Sequence, residues 1–240
     1  MTARRSTPLA AAGLAALWLA MAGQGVAQTS ANPVVVELYT SQGCSSCPPA
    51  DAFLAELAGR PDVLALALHV DYWDYLGWED AFAQPAFTQR QKRYARAAGA
   101  KMIYTPQIIV GGIDMIKGLR PDEIVERIAA HAAQAPRVTL RMVRDGGVVV
   151  VDLLADPPLV DGAVVQMVRF DPEQVVRIER GENAGREVVY RNIVTDWTAV
   201  ADWPGQAPLR LELAAEGGAP VAVIVQEPGP GVVLAAARID

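Results

Sequence analysis

The stretch Gly43-Cys44-Ser45-Ser46-Cys47-Pro48-Pro49 decides the fold, because it holds both cysteines of the 240-residue chain, two residues apart. It follows the apolar run Val34 to Tyr39 and precedes a helical pattern from Ala50 to Leu57. A strand that delivers a C-x-x-C motif to the start of a helix favours redox chemistry, because unpaired backbone N–H groups there stabilise a thiolate. We therefore expect Cys44 to attack as the thiolate and Cys47, one helical turn further in, to resolve the exchange.

Residues 1–27 have the composition of a signal peptide. Arg4 and Arg5 form a charged start, Pro8 to Ala22 is apolar, and Gly25-Val26-Ala27 offers small residues for cleavage. The apolar run is short for a membrane span, which needs about 20 residues, so a cleaved signal is favoured over an uncleaved anchor. The sequence therefore predicts a periplasmic or secreted protein, in which a lone cysteine pair forms a disulfide unless something reduces it.

Charge and length limit the remaining possibilities. Without Arg4 and Arg5 the 21 basic residues fall to 19 against 27 acidic ones, a net charge of −8 for the chain after residue 27. No dense Lys/Arg patch is present, so a nucleic-acid partner is not expected. The chain exceeds a typical domain of about 100–150 residues, which predicts an α/β domain over 32–135 and a β-rich domain over 137–240.

The first half alternates strands and helices. Val63 to Val70 is a second buried strand, which predicts a βαβ unit with parallel pairing. Pro85 to Ala98 is a helix whose cationic run, beginning at Arg90, predicts a solvated face. Two apolar runs around Gly111-Gly112 predict a hairpin, and Arg120-Pro121 opens a last helix.

Glu37 interrupts the first strand. A buried carboxylate is costly unless paired, and burial raises its pKa. Two roles follow from its position. Under the dithiol, Glu37 relays a proton to or from Cys47; alternatively, it faces solvent or a neighbouring Arg or Lys.

The most aromatic segment of the chain runs from His69 to Asp80, after the end of the second strand. Ligand sites of α/β folds gather at such strand ends. We therefore take Trp73 and Trp78 as candidate substrate-binding residues, with packing of the rings on the sheet edge as the alternative. Tyr104, which precedes Thr105-Pro106, is a third candidate. His69 either tunes the thiolate, completes a metal site, or is a satisfied polar residue at a strand end.

The order strand, C-x-x-C, helix, strand, helix, Thr-Pro, hairpin, helix resembles the thioredoxin-like fold, a mixed sheet flanked by helices. The resemblance implies attack by Cys44, resolution by Cys47, and a cis-proline at Pro106 that packs against the disulfide. It also implies that the Thr105 backbone pairs with a substrate strand. An acid resembling Glu37 accepts a proton in thioredoxins, although there it is an Asp one residue nearer the first cysteine.

A narrower resemblance rests on three segments, Glu37 to Asp51, His69 to Trp78, and Tyr104 to Gln107. They are similar to a family of exported bacterial proteins of unknown function with a thioredoxin-like domain. The similarity extends through Gly181-Glu-Asn-Ala-Gly-Arg186 and Tyr190 to Val194. The resemblance supports the fold and the motif, and leaves the chemistry to the residues.

After Ala135-Pro136 the helical periodicity stops, and turn signals separate short apolar runs. We expect eight strands, Val138–Val143, Val148–Leu154, Ala163–Phe170, Val175–Glu179, Glu187–Val194, Leu209–Leu213, Val221–Gln226 and Val232–Ala237. Their spacing predicts an antiparallel sandwich. Our hypothesis is that this domain recognises or orients a partner while the first domain carries the chemistry.

The leading functional hypothesis is an exported thiol-disulfide oxidoreductase that acts on exported protein thiols or disulfides together with an unknown redox partner. It needs no cofactor beyond the redox-active Cys44–Cys47 disulfide, and it contacts a membrane only through residues 1–27 if they stay uncleaved. One alternative is a binding protein with an inert structural disulfide. Another is a Cu(I)-handling module that uses Cys44, Cys47 and His69 or Met102, because Cu(I) suits soft thiolate ligands.

Overall fold

The computed structural model describes residues 32–240, so the predicted signal peptide lies outside the described residues. In chain order the elements are β1 (Val34–Thr40), α1 (Pro48–Ala58), β2 (Val63–His69), a 3₁₀ turn (Asp74–Leu76), α2 (Pro85–Ala97), β3 (Gln107–Val110), β4 (Asp114–Lys117), α3 (Pro121–Ala132), β5 (Val138–Asp145), β6 (Val148–Ala155), β7 (Ala163–Arg177), β8 (Glu187–Trp203), β9 (Leu209–Ala214), β10 (Val221–Gln226) and β11 (Val233–Ile239). Within 32–240, no helix combines the length and apolar character that crossing a bilayer requires.

Each α-helix begins at a proline, namely Pro48, Pro85 and Pro121. Proline suits the first helical position, because its missing N–H has no intrahelical partner there and its φ is already helical. The prediction that Pro48 and Pro49 set the start of the first helix is confirmed. This start makes Cys47 the N-cap residue of α1.

β1 is an interior strand of an eight-stranded mixed sheet of order β11-β10-β7-β8-β2-β1-β3-β4. It pairs in parallel with β2, from Val34 opposite Val63 to Thr40 opposite His69, and antiparallel with β3. β3 and β4 form an antiparallel hairpin around Gly111-Gly112, where both glycines have positive φ. The predicted βαβ unit and hairpin are therefore confirmed.

The second half of the chain extends this sheet. β7, β8, β10 and β11 add four strands beyond β2, and β8 joins β2 in parallel through Ala67 and Ile193. β5, β6 and β9 form a separate antiparallel sheet, whose apolar side chains pack on β7, β10 and β11. Tyr39 of β1 shares a hydrophobic core with Val168 and Ile224. These contacts correct the expectation of a sandwich confined to the second half, whereas its all-β, mostly antiparallel character is as predicted.

Two strands of the second half are longer than predicted. β7 has 15 residues and takes in Ala163–Phe170 together with most of Val175–Glu179, which the sequence presented as two strands. β8 has 17 residues and continues past Val194 to Trp203. The register between them shifts after Val165 and after Arg169, as it does at β-bulges. The two predicted parts of β7 are separated by the polar stretch Asp171-Pro172-Glu173-Gln174, which resembled a turn but continues the strand.

A buried ion pair joins α2 to the sheet where the two halves meet. Arg90 donates through Nε and Nη2 to the two carboxylate oxygens of Glu37, both at 2.8 Å. Its guanidinium also donates to Gln166 and Gln226 of the second half and lies 3.8 Å from the ring centre of Trp197. Arg90 was predicted on a solvated face. The structure corrects this, because α2 packs on the sheet and buries the Arg90 side chain against Glu37 and the Trp197 ring.

Replacing Arg90 by methionine is expected to lower the free energy of unfolding by about 3–5 kcal/mol, because Glu37 then remains as an unpaired buried carboxylate. Arg210→Met is the control. Its ion pair with Asp152 is exposed, so its loss is expected to cost at most about 1 kcal/mol. Urea unfolding measures both values. Equal losses in the two variants would contradict the central role of the buried pair.

Candidate functional site

A disulfide between Cys44 and Cys47 closes the disulfide loop, residues 41–47, with the two Cα atoms 5.4 Å apart. The Cys44 N–H donates to the Ser41 carbonyl, and the Cys47 N–H donates to the Cys44 carbonyl. The Cys47 carbonyl in turn accepts from the N–H groups of Ala50 and Asp51 in the first turn of α1. The cysteine pair therefore lies at the N-terminus of a helix, whose dipole favours negative charge.

Both sulfurs are covered in this state of the molecule. Cys44 is 1% exposed and Cys47 is 0% exposed, whereas Ser45 and Ser46 between them face solvent. Ser46 Oγ lies 3.4 Å from Cys44 Sγ, within reach of a weak hydrogen bond. The predicted attack by Cys44 needs a sulfur that a partner reaches. In this arrangement, access to Cys44 requires the loop or its neighbours to move.

The Thr105-Pro106 turn lies at the same edge of the sheet as the disulfide loop. β3 begins at Gln107, which pairs with Tyr39 near the end of β1, and the Thr105–Pro106 peptide bond is cis, as predicted. Trp73 links the two segments. Its indole N–H donates to Thr105 Oγ1 at 2.8 Å, and its Cβ lies 3.2 Å from where a Cβ on Gly43 would sit.

The other two aromatic residues predicted to bind substrate, Trp78 and Tyr104, also contact residues near the disulfide loop and the proline turn. Trp78 donates from Nε1 to Gln42 Oε1 at 2.7 Å and so supports the disulfide loop. The Tyr104 carbonyl accepts from the Gln91 amide, and its ring faces the Lys117 amine at 5.0 Å. Tyr75 is 80% exposed. Both half-buried tryptophans thus bond to residues of the site, and a role in substrate binding stays a prediction, while Tyr75, which was not among the candidates, is an exposed ring.

Glu37 does not serve the dithiol. Besides Arg90, the hydroxyls of Tyr39 and Tyr94 donate to its carboxylate, at 2.8 and 2.6 Å. Burial by itself raises the pKa of Glu37, but the charge and hydrogen bonds of Arg90 and the two hydroxyls outweigh it and lower the pKa. This corrects the predicted relay role, because a carboxylate held ionised in this way does not take up a proton. The alternative of a neighbouring Arg is the one observed.

A different acid lies close to the disulfide. Asp51 is on α1, one turn after Cys47, and its buried Oδ1 accepts from Thr40 Oγ1 at 2.7 Å. Burial raises the pKa of Asp51 to about 7, while His69 and the Thr40 hydroxyl lower it and Asp80 raises it further. In the sequence, Asp51 stands out only as the end of a segment that carries the family resemblance. Its spacing of four from Cys47 is the signal that was available, since such residues share a helix face.

His69 is fully buried at the end of β2 and supports the disulfide loop indirectly. Its Nδ1 lies 2.7 Å from Asp80 Oδ2, and the same oxygen accepts from the Gln42 backbone N–H at 2.8 Å. Among residues 32–240, no three His, Cys, Asp or Glu side chains are placed to hold a metal ion. The structure therefore does not assemble the alternative ligand set of Cys44, Cys47 and His69.

The second half contributes Asn183, which lies between β7 and β8. The buried side-chain amide of Asn183 donates to the carbonyls of Gln42 and Cys44, each at 2.9 Å. In the sequence, this segment stands out only as part of a resemblance. No local pattern connects residue 183 to residue 44, because the contact spans 139 positions of the chain.

These features all fall within one span of the chain that matches a protein family. The model of a family described as "Protein of unknown function (DUF1223)" matches residues 35–226, a span that holds the disulfide loop, the proline turn and Asn183. The chain belongs to this family.

Two solved structures are similar to this member of the family. Protein AGR_C_4864 from Agrobacterium tumefaciens is 34% identical, with a TM-score of 0.74 over 86% of this chain and 93% of that one. HBP35 of Porphyromonas gingivalis is 14% identical, with a TM-score of 0.59 over 87% of this chain and 74% of that one, which shows similarity of fold alone. No curated protein matches the chain.

Asp51 is expected to make the free energy of unfolding fall by about 2–3 kcal/mol between pH 5 and pH 8. Its pKa is about 7 in the folded chain and about 3.9 in an unfolded one. In this window folded Asp51 holds a proton that unfolded Asp51 has lost, so stability decreases as the pH rises. Asp51→Asn removes the titration and keeps the oxygen that accepts from Thr40. Urea unfolding at both pH values tests this, and equal pH slopes for wild type and variant would contradict it.

Proposed function

We propose that this protein is an exported thiol-disulfide oxidoreductase with a thioredoxin-like active site. The observation that carries the proposal is the C-x-x-C disulfide at the start of α1 with the cis Thr105-Pro106 turn at the same sheet edge, linked through Trp73. The pairing of β1 in parallel with β2 and antiparallel with β3 supports a thioredoxin-like interpretation. The composition of residues 1–27 supports export to the periplasm or the exterior.

The proposed exchange has two steps. In the reducing direction, the Cys44 thiolate attacks a substrate disulfide, a Cys44–substrate bond forms, and the departing substrate sulfur takes a proton from solvent. Cys47 then gives up its proton and attacks Cys44 Sγ, which re-forms the Cys44–Cys47 bond and releases the second substrate thiol. Oxidation of a substrate runs through the same steps in reverse. The dipole of α1 stabilises the attacking thiolate by about 0.3–1 kcal/mol.

A substrate segment in extended conformation is the ligand that suits the proline turn. Among the described residues, none hydrogen-bonds to the backbone N–H or C=O of Thr105. Both groups are therefore available to pair with a strand from a partner, and pairing of this kind supplies affinity with little dependence on sequence. Met102, which is 69% exposed and three residues before Thr105, offers an apolar contact for such a segment.

Asp51 is the group that we assign to the proton of Cys47. The two side chains lie one turn apart on the same helix, and within residues 32–240 the buried Oδ2 of Asp51 has no hydrogen-bond partner. A pKa of about 7 suits a group that takes and returns a proton near neutral pH. In the resolving step the proton moves from the Cys47 thiol to the Asp51 carboxylate as Cys47 attacks.

A binding protein with an inert disulfide is the second candidate, and the burial of both sulfurs favours it. A bridge between these two cysteines adds little to the stability of the folded chain, which argues against an inert structural disulfide. The cysteines are three positions apart, and a bridge that closes so short a loop removes little entropy from the unfolded chain. The redox proposal therefore accounts better for the presence of the pair.

Replacing Cys44 by serine is expected to abolish exchange with a model disulfide protein, because the attacking sulfur is lost. Cys47→Ser is expected to accumulate a mixed disulfide through Cys44, since the resolving thiol is absent. Non-reducing electrophoresis and mass spectrometry detect the adduct. Arg210→Met, far from the disulfide in the second sheet, is the control and keeps the wild-type rate. If the Cys44→Ser variant exchanged disulfides at the wild-type rate, the oxidoreductase proposal would be refuted.

Asp51→Asn is expected to slow the resolving step at pH 7 by about 100-fold or more, the usual contribution of a positioned acid or base. The first attack by Cys44 should change little, because Asp51 exchanges its proton with Cys47. Rapid-quench kinetics separate the two steps, and Asp152→Asn at an exposed ion pair is the control. The pH midpoint of resolution should move from near 7 toward the usual thiol value of about 8.5. An unchanged midpoint would show that another group accepts the proton.

A further inference from the structure

The segment between β7 and β8 forms a compact turn, residues 178–186. The Ile178 N–H donates to the Arg186 carbonyl, and the Gly185 N–H donates back to the Ile178 carbonyl, at 2.9 and 2.8 Å. A further bond from Ala184 to Gly181 closes the turn internally. The turn is therefore bonded mainly to itself and lies beyond the last paired residues of β7 and β8, Arg177 and Glu187.

This turn holds the disulfide loop from one side. Asn183 binds the Gln42 and Cys44 carbonyls, and these bonds belong to the loop backbone rather than to the sulfurs. Trp78 binds the Gln42 side chain, and it also packs against the turn, because its Cβ lies 3.4 Å from where a Cβ on Gly181 would sit. The turn and the aromatic segment therefore contact each other, and both bond to the loop that carries Cys44.

The closed arrangement leaves two polar atoms without protein partners. Within the described part of the chain, neither Asn183 Oδ1 nor Gln42 Nε2 makes a hydrogen bond to another residue, although both atoms are buried. An unpaired buried polar group is destabilising, and exposure to solvent removes that penalty. Withdrawal of the turn hydrates both atoms and so offsets part of the loss of the two Asn183 bonds.

We propose that Asn183 is a positioning residue that controls access to Cys44. Its two hydrogen bonds hold the Cys44 backbone in the covered state, and a partner reaches the sulfur after the turn 178–186 withdraws. The inference rests on the proposed function for its purpose, since access matters where Cys44 reacts with a partner. Through Asn183, the second half of the chain would then control the access of a partner to Cys44 in the first half.

The test is the rate at which a bulky maleimide labels Cys44. In the Cys47→Ser background, reduced beforehand, Cys44 is the single thiol. At pH 9, above the usual thiol pKa of about 8.5, differences in ionisation contribute little. Asn183→Asp keeps the shape of the side chain and removes both donors. It is expected to raise the labelling rate at least about tenfold, and the neutral Asn183→Ala variant is expected to do the same.

Asn192 offers a matched control. It is also a buried asparagine of the second half, and its amide donates to the Ala65 carbonyl in β2 at 2.8 Å, away from the disulfide loop. Its φ of 48° is tolerated by Asp as well as Asn. Asn192→Asp is therefore expected to label within about twofold of the parent. Equal acceleration in the Asn183 and Asn192 variants, or none in either Asn183 variant, would overturn the proposal.

The two proposals fail in different ways. Labelling needs only a reduced thiol, so it gives a result whether or not the protein exchanges disulfides. If wild type exchanges with no disulfide substrate while the Asn183 variants label faster, the oxidoreductase proposal fails and the access control stands. If wild type exchanges but the Asn183 variants label at the Asn192→Asp rate, only the inference about Asn183 fails.

Discussion

The ion pair between Glu37 and Arg90 is the interaction on which the rest of the structure depends. It is buried where β1, α2 and the strands of the second half converge, and Gln166, Gln226 and Trp197 complete its surroundings. A buried charge is costly unless it is paired and hydrogen-bonded. The second half of the chain supplies part of that bonding, and the eight-stranded sheet is continuous across both halves.

The features that the sequence predicted well are those with local causes. Pro48 and Pro49 define the start of α1 because proline lacks a backbone N–H, and Gly111-Gly112 marks a hairpin because both residues adopt positive φ. Cys44 and Cys47 lie close in space because they lie close in the chain. Each of these inferences needs information from a few neighbouring residues, and each is found in the structure.

The predictions that needed correction depended on distant partners. Glu37 was an anomaly in an apolar strand, and the residue that explains it lies 53 positions away. Arg90 was part of a cationic run, and only its burial against the sheet distinguishes it from neighbours such as Lys92 and Arg93, which are exposed. The addition of β8 beside β2 is likewise a long-range pairing, which no periodicity within either strand reveals.

The disulfide loop is supported by two segments that are far apart in the sequence, one with Trp78 and the other with Asn183. A growing polypeptide emerges N-terminus first, so the two cysteines are synthesised well before the residues that cover them. During that interval the cysteines lack the hydrogen bonds that Asn183 makes to the loop in the folded chain. The final support of the disulfide loop therefore waits for the synthesis of a residue 139 positions further along the chain.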